Sequence, residues 1–142
     1  MDSFFRPQRQ GGFTLVELTA VIAIVGTLSA VALPRYAVMM RSARVAKMDM
    51  ARGAVSEAAR MYRMKWMLAG SPAMPTVIGE VEMNGKGWPT SAGILVAAGL
   101  SEHYDTRLAG VIAADADHPD CSLVYAPESG ASVLNYLDGA GC

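Results

Sequence analysis

The sequence predicts an α+β chain in which one long N-terminal helix carries a small antiparallel β-sheet head. Three observations lead there. Residues 13–33 are an uninterrupted apolar run except for a single charge, Glu17. Residues 35–69 are rich in Ala, Met, Arg and Lys, contain no proline and one glycine, and repeat apolar side chains at intervals of three and four. The last third alternates short β-branched runs with Gly and Pro turns, and it holds both cysteines.

The apolar run is 21 residues long. At about 1.5 Å per residue, a helix of that length just crosses a hydrocarbon core of about 30 Å. Membrane residence is the first consequence. Glu17 is then the anomaly, because an ionised carboxylate inside a bilayer helix costs roughly 2.5 to 3.5 kcal/mol on insertion scales and marks a function by default. Such a charge requires a partner. The twelve residues before the run form a leader too short and too polar to fold, ending in Gly11-Gly12. Gly26 and Pro34 mark the points where the apolar helix loosens or bends, since an interior proline removes one backbone hydrogen bond at a cost of about 3 kcal/mol.

Residues 35–69 continue as an amphipathic helix. Val45, Met48, Ala51, Val55, Ala59, Tyr62, Trp66 and Ala69 share one face, and Arg41, Arg44, Arg52, Ser56, Arg60 and Arg63 occupy the opposite side. The methionines read as adaptable packing in a core or an interface. Gly70-Ser71-Pro72 stops the helix. Charge is distributed unevenly around a net of −1: residues 35–65 hold eight basic side chains against Asp49 and Glu57, a net of +6, whereas residues 66–142 hold nine acids against Lys86 and Arg107, a net of −7. A subunit charged in this way suits packing of one head against a neighbouring stem. A lone protein would simply solvate both surfaces.

The head spans residues 70–142, and a core drawn from so few residues needs a staple. Residues 76–83 have β-branched character weakened by Gly79, with Asn84-Gly85 as the following turn. Thr90 or Ser91 caps a short helix running to about Leu100. Residues 101–120 are poorly patterned and read as irregular loop. Two strands close the chain, residues 121–126 and 132–137, separated by the hairpin turn Pro127-Glu128-Ser129-Gly130. Cys121 and Cys142 have no Cys-x-x-Cys spacing or neighbouring histidine to suggest zinc. In an exported chain they read as one disulfide tying the tail to the sheet.

The N-terminal residues resemble those of a known family. The basic leader ending in Gly12, the sequence Phe13-Thr14-Leu15-Val16-Glu17, and the run to Pro34-Arg35-Tyr36 are similar to the start of a type IV prepilin. The likeness is close over about 36 residues and continues as a general plan of long helix, small head and C-terminal cysteine pair. Gly87-Trp88-Pro89-Thr90 and Cys121-Ser122-Leu123-Val124-Tyr125 also resemble the mannose-sensitive haemagglutinin type of pilin. The resemblance implies cleavage by a prepilin peptidase between Gly12 and Phe13, N-methylation of Phe13, and residence in the inner membrane. It further implies extraction by an assembly platform into an extracellular filament of copies of the same chain, serving adhesion or motility. Glu17 would pair there with the Phe13 amine of a neighbouring subunit, since a buried charge is tolerable only when paired.

Two other readings fit the same N-terminus. Ala30-Val31-Ala32 before Leu33 satisfies a secretory signal with an A-x-A cleavage site, although an h-region has no use for Glu17. An unprocessed signal anchor would let Glu17 snorkel to the interface. Either would leave a secreted or membrane-anchored binding domain. Within the family, a pseudopilin of a type II secretion system is the alternative to a pilus subunit. No phosphate loop, nucleophile elbow or zinc-protease pair occurs; no enzymatic activity, cofactor, metal or nucleic-acid partner is expected. Asp115, Asp117 and Asp120 beside His118 offer oxygen ligands for calcium, but their spacing matches no established loop.

Overall fold

A computed structural model of the chain describes residues 12–135 and 141–142. It has two compact units, with the boundary between Val38 and Met39. Helix α1, Leu15–Leu68, runs 54 residues and includes Pro34. Gly26 is helical as well. Strands β1 (Thr76–Ile78) and β2 (Val81–Met83), helix α2 (Ser91–Ala98), and strands β3 (Val111–Ala113), β4 (Ser122–Ala126) and β5 (Ala131–Leu134) follow.

In the first unit the apolar side chains are solvent-exposed throughout, from Phe13 to Leu33. In the second, Met48, Ala51, Val55, Ala58 and Ala59 form the buried stripe of α1. They pack on Ile94, Leu100, Ile112, Ala114, Cys121, Leu123 and Tyr125. Of the stripe expected from the spacing of three and four, Met48, Ala51, Val55, Ala59 and Trp66 are buried, Val45 and Tyr62 are half-buried, and Ala69 is exposed. A second cluster gathers Trp66, Val81 and Met83.

The C-terminus of α1 closes as a Schellman motif. Ser71 N–H donates to the Trp66 carbonyl at 3.1 Å and Gly70 N–H to Met67 at 3.2 Å, with Gly70 at φ 87°, so the last carbonyls of the helix are satisfied. Helix α2 is capped at both ends. Thr90 Oγ1 accepts from Gly93 N–H at 3.0 Å, and Leu100 N–H returns to the Leu95 carbonyl at 3.0 Å past Gly99.

Two antiparallel sheets flank these helices, β1-β2 and β3-β4-β5. Two expectations need correction. Residues 76–83 are two strands: the chain reverses at Gly79-Glu80, pairing Ile78 with Val81, because Gly79 adopts φ 64° and makes the turn itself. Residues 101–120 also hold a strand, β3, paired with β4 from Val111↔Val124 to Ala113↔Ser122. Three residues are too short to show a period of two, and both Ile112 and Ala113 are buried, so the alternation that reveals a half-exposed strand is missing. Strand β5 begins at Ala131 and ends at Leu134; residues 136–137 of the expected strand lie outside the described residues.

One glycine fixes how α2 meets β2. A Cβ on Gly93 would lie 2.3 Å from the Glu82 carbonyl oxygen. Gly93→Ala is expected to cost about 1–3 kcal/mol, the range for overpacking, because the obstacle is backbone. Denaturant unfolding of the full chain in detergent checks this.

Candidate functional site

The residues singled out at the N-terminus meet in one turn. Thr14 is the N-cap of α1, with its carbonyl accepting from Leu18 N–H at 3.1 Å. Its hydroxyl accepts from Glu17 N–H at 3.2 Å. In return Glu17 Oε2 accepts from Thr14 N–H at 2.9 Å and from Thr14 Oγ1 at 2.8 Å. This reciprocal pair is a capping box. The sequence carries its signature, Thr-x-x-Glu ahead of an apolar run. Gly12 and Phe13 lie just before the cap, Phe13 at 85% exposure and Gly12 with nothing within 4 Å of a notional Cβ. Gly11 lies outside the described residues.

The helix that follows is strongly apolar over its first turns, and its apolar stretch is not buried among the described residues. By length and composition it qualifies to cross a membrane, as signal sequences also do. Glu17 is thus held in its own chain by a neutral hydroxyl and an amide.

In the second unit the basic face is not uniformly solvated. Arg44 Nε donates to Asp115 Oδ2 at 3.0 Å, and its Nη1 donates to the Cys142 main-chain oxygen at 3.1 Å. His118 Nδ1 lies 2.7 Å from Asp115 Oδ1. Partial burial of Asp115 opposes its ionisation, yet the His118 and Arg44 contacts outweigh this and hold its carboxyl below the ordinary 3.8. Asp115 is therefore a structural acceptor joining the β3–β4 loop to the stem helix, with both oxygens engaged. Among the described residues no group of three or more His, Cys, Asp or Glu is placed to hold a metal ion.

Arg63 is also drawn inward. Its guanidinium lies 4.9 Å from the ring centroids of both Trp66 and Trp88 and donates to the Lys86 carbonyl. Trp88 is tied through Asn84, which accepts its N–H at 2.9 Å and donates to the Pro127 carbonyl at 2.6 Å. Tyr125, whose hydroxyl donates to the Pro89 carbonyl at 3.0 Å, is pushed by burial up to about 12. Cys121 and Cys142 form a disulfide with Cα atoms 4.6 Å apart.

The described residues thus combine a capped apolar helix, an amphipathic continuation packed on a small sheet, and a C-terminal disulfide. Residues 7–33 match the prokaryotic N-terminal methylation motif. The chain is similar to fimbrial protein Q of Moraxella bovis, 29% identical over 121 residues that cover 72% of this chain and 76% of the relative. A fimbrial protein of Neisseria meningitidis is 36% identical over 98 residues, 67% of this chain and 46% of the relative. The type IV major fimbrial protein FimA of Dichelobacter nodosus is 30% identical over 127 residues, 84% and 65% respectively. No solved structure matches. The N-terminal methylation motif and these fimbrial relatives together support a place in the type IV pilin family.

Proposed function

We propose that this chain is a subunit of a type IV pilus-like surface filament, cleaved between Gly12 and Phe13 by a prepilin peptidase and methylated on the new Phe13 amine. The observation that carries the reading is the methylation motif over residues 7–33, coincident with an apolar helix half that buries none of its large side chains. An apolar surface of that extent requires a bilayer or other helices around it. The subunit first rests in the inner membrane, and an assembly platform then moves it into the filament. Gly26 and Pro34 supply the bend that fits the helix among its neighbours. Fimbrial relatives favour a pilus over a secretion pseudopilus. Adhesion and motility are the activities such a filament would serve.

Assembly is proposed to use Glu17 and the Phe13 amine of the next subunit. Desolvated charges that pair set a register, because any slip leaves both unpaired at a cost of several kcal/mol. Beyond the apolar half, α1 leaves Met50, Met61 and Met64 exposed. These flexible side chains suit contact with neighbouring copies.

The mature chain is expected to start at Phe13. Intact mass of the native subunit checks this, and should include one added methyl group. A mature start at Leu33 would support the secretory reading and remove this one.

A further inference from the structure

Between α1 and the β4–β5 hairpin lies an open cleft of about 410 Å³ lined by Arg52, Ser56, Arg60, Trp88 and residues 129–132. The lining contains two guanidinium groups, the hydroxyls of Ser56, Ser129 and Ser132, and no carboxylate. Arg52, Ser56 and Arg60 are four residues apart, so they line one side of the helix, with the two cations about 12 Å apart along the axis. The floor is fixed. A Cβ on Gly130 would lie 2.1 Å from the Trp88 ring, so the hairpin backbone is packed on the indole, while Arg63 sits over that ring system. With hairpin backbone and guanidinium against it, the indole serves as support here, and the cations carry the recognition. The nearest competing acid is Glu57, 3.7 Å from Arg60 Nη1 with both side chains about three-quarters exposed, a contact of the kind worth little in water. Asp49 lines the adjoining surface beside Arg52.

We infer that this cleft docks carboxylates from the head of a second copy, specifically Asp117 and Asp120 of its β3–β4 loop. The inference rests on the filament reading above. Charge complementarity selects the occupant, since residues 66–142 carry a net of −7 against +6 on residues 35–65. Among the head acids, Asp117 and Asp120 are exposed, stand together on one loop, and have no ion pair closer than 4.0 Å among the described residues, Asp117 sharing only the longer-range field of Arg107. That loop is already ordered. Asp115 binds it to Arg44, Asp117 N–H donates to Asp115 Oδ1 at 3.1 Å, and Cys121 is disulfide-bonded immediately after it. Pre-ordering on both sides lowers the entropy lost on docking. The contact is between copies, because the loop is pinned at Arg44, eight residues or about 12 Å along the helix from Arg52 and about 24 Å from Arg60. Its own cleft is out of reach.

The test is charge reversal with a reciprocal rescue, made in the full-length chain in cells and read as sheared filament per processed subunit. Arg52→Glu with Arg60→Glu is expected to lower yield about tenfold or more, since like charges placed opposite each other cost several kcal/mol. The processed, disulfide-bonded subunit pool should stay unchanged. Adding Asp117→Lys and Asp120→Lys is expected to restore filaments. Separately, Arg60→Lys in wild-type-like filaments should allow carbodiimide to join the introduced amine to Asp117 or Asp120 of another copy, mapped by peptide mass. Full yield from the double arginine variant overturns the inference. So does cross-linking to other acids only, or failure of the reciprocal variant while its subunits remain folded. If the unsubstituted chain forms no filament, the filament reading itself fails instead.

Discussion

Glu17→Val is expected to leave the subunit processed and inserted while abolishing filament formation. Removing the carboxylate lowers the cost of placing the helix in a bilayer by roughly 2.5 to 3.5 kcal/mol, so insertion should be at least as efficient. The substitution also removes a second contribution, because Glu17 closes the capping box with Thr14. Glu17→Gln separates them. Glutamine fills the same capping role, accepting from the Thr14 amide as glutamate does, but it carries no charge to pair with a neighbour's Phe13 amine. If charge pairing drives assembly, the Gln variant fails as completely as Val. If only the cap matters, it assembles normally, and Thr14→Ala becomes the deficient variant, losing about 1 kcal/mol of capping. Filament yield against the processed pool distinguishes the cases, and normal yield from Glu17→Gln would overturn the assigned role.

The elements with strong periodicity are legible in the sequence. The buried face of α1 follows from Met48, Ala51, Val55 and Ala59 because a period of 3.6 over many turns accumulates signal. The β4–β5 hairpin was legible from its Pro-to-Gly turn, and Gly130 at φ 70° closes it. Strand β3 was not, since its three residues have neighbours supplied by β4 on one side and by Asp105 on the other. Its conformation is set by partners distant in sequence. The same holds for Arg44 and Arg63, whose helical positions suggested a solvated face. Arg44 finds Asp115 and Cys142, and Arg63 finds two indoles. Composition places a charge on a face but does not say which loop folds over it. The methionines split for that reason too: Met48 is fully buried and Met50, two residues on, is 73% exposed.

Cys142→Ser is expected to destabilise the head by about 3 kcal/mol and to open its C-terminal segment to proteolysis. Cys121 and Cys142 are 21 positions apart, and the chain-entropy model assigns a loop of that size about 3 kcal/mol. For a domain of 60–100 residues each kcal/mol is worth about 4–8 °C, so the melting transition should fall by at least ~10 °C. The geometry adds a second loss. Cys121 is fully buried in the main core cluster, whereas Cys142 is half-buried against that cluster and accepts a hydrogen bond from Arg44 on its main-chain oxygen. Without the covalent bond the segment keeps that hydrogen bond and the partial packing of one small side chain, and a typical hydrogen bond contributes about 1 kcal/mol net. Fixing the backbone of even two or three residues costs more than that. Arg44→Lys therefore provides the comparison. It loses the planar fork that reaches Asp115 and Cys142 together, yet the disulfide still holds the segment, so proteolysis there should change little. Equal protease sensitivity in Cys142→Ser and the unsubstituted protein, or two titratable thiols in the native filament, would show that the bond does not hold the head together.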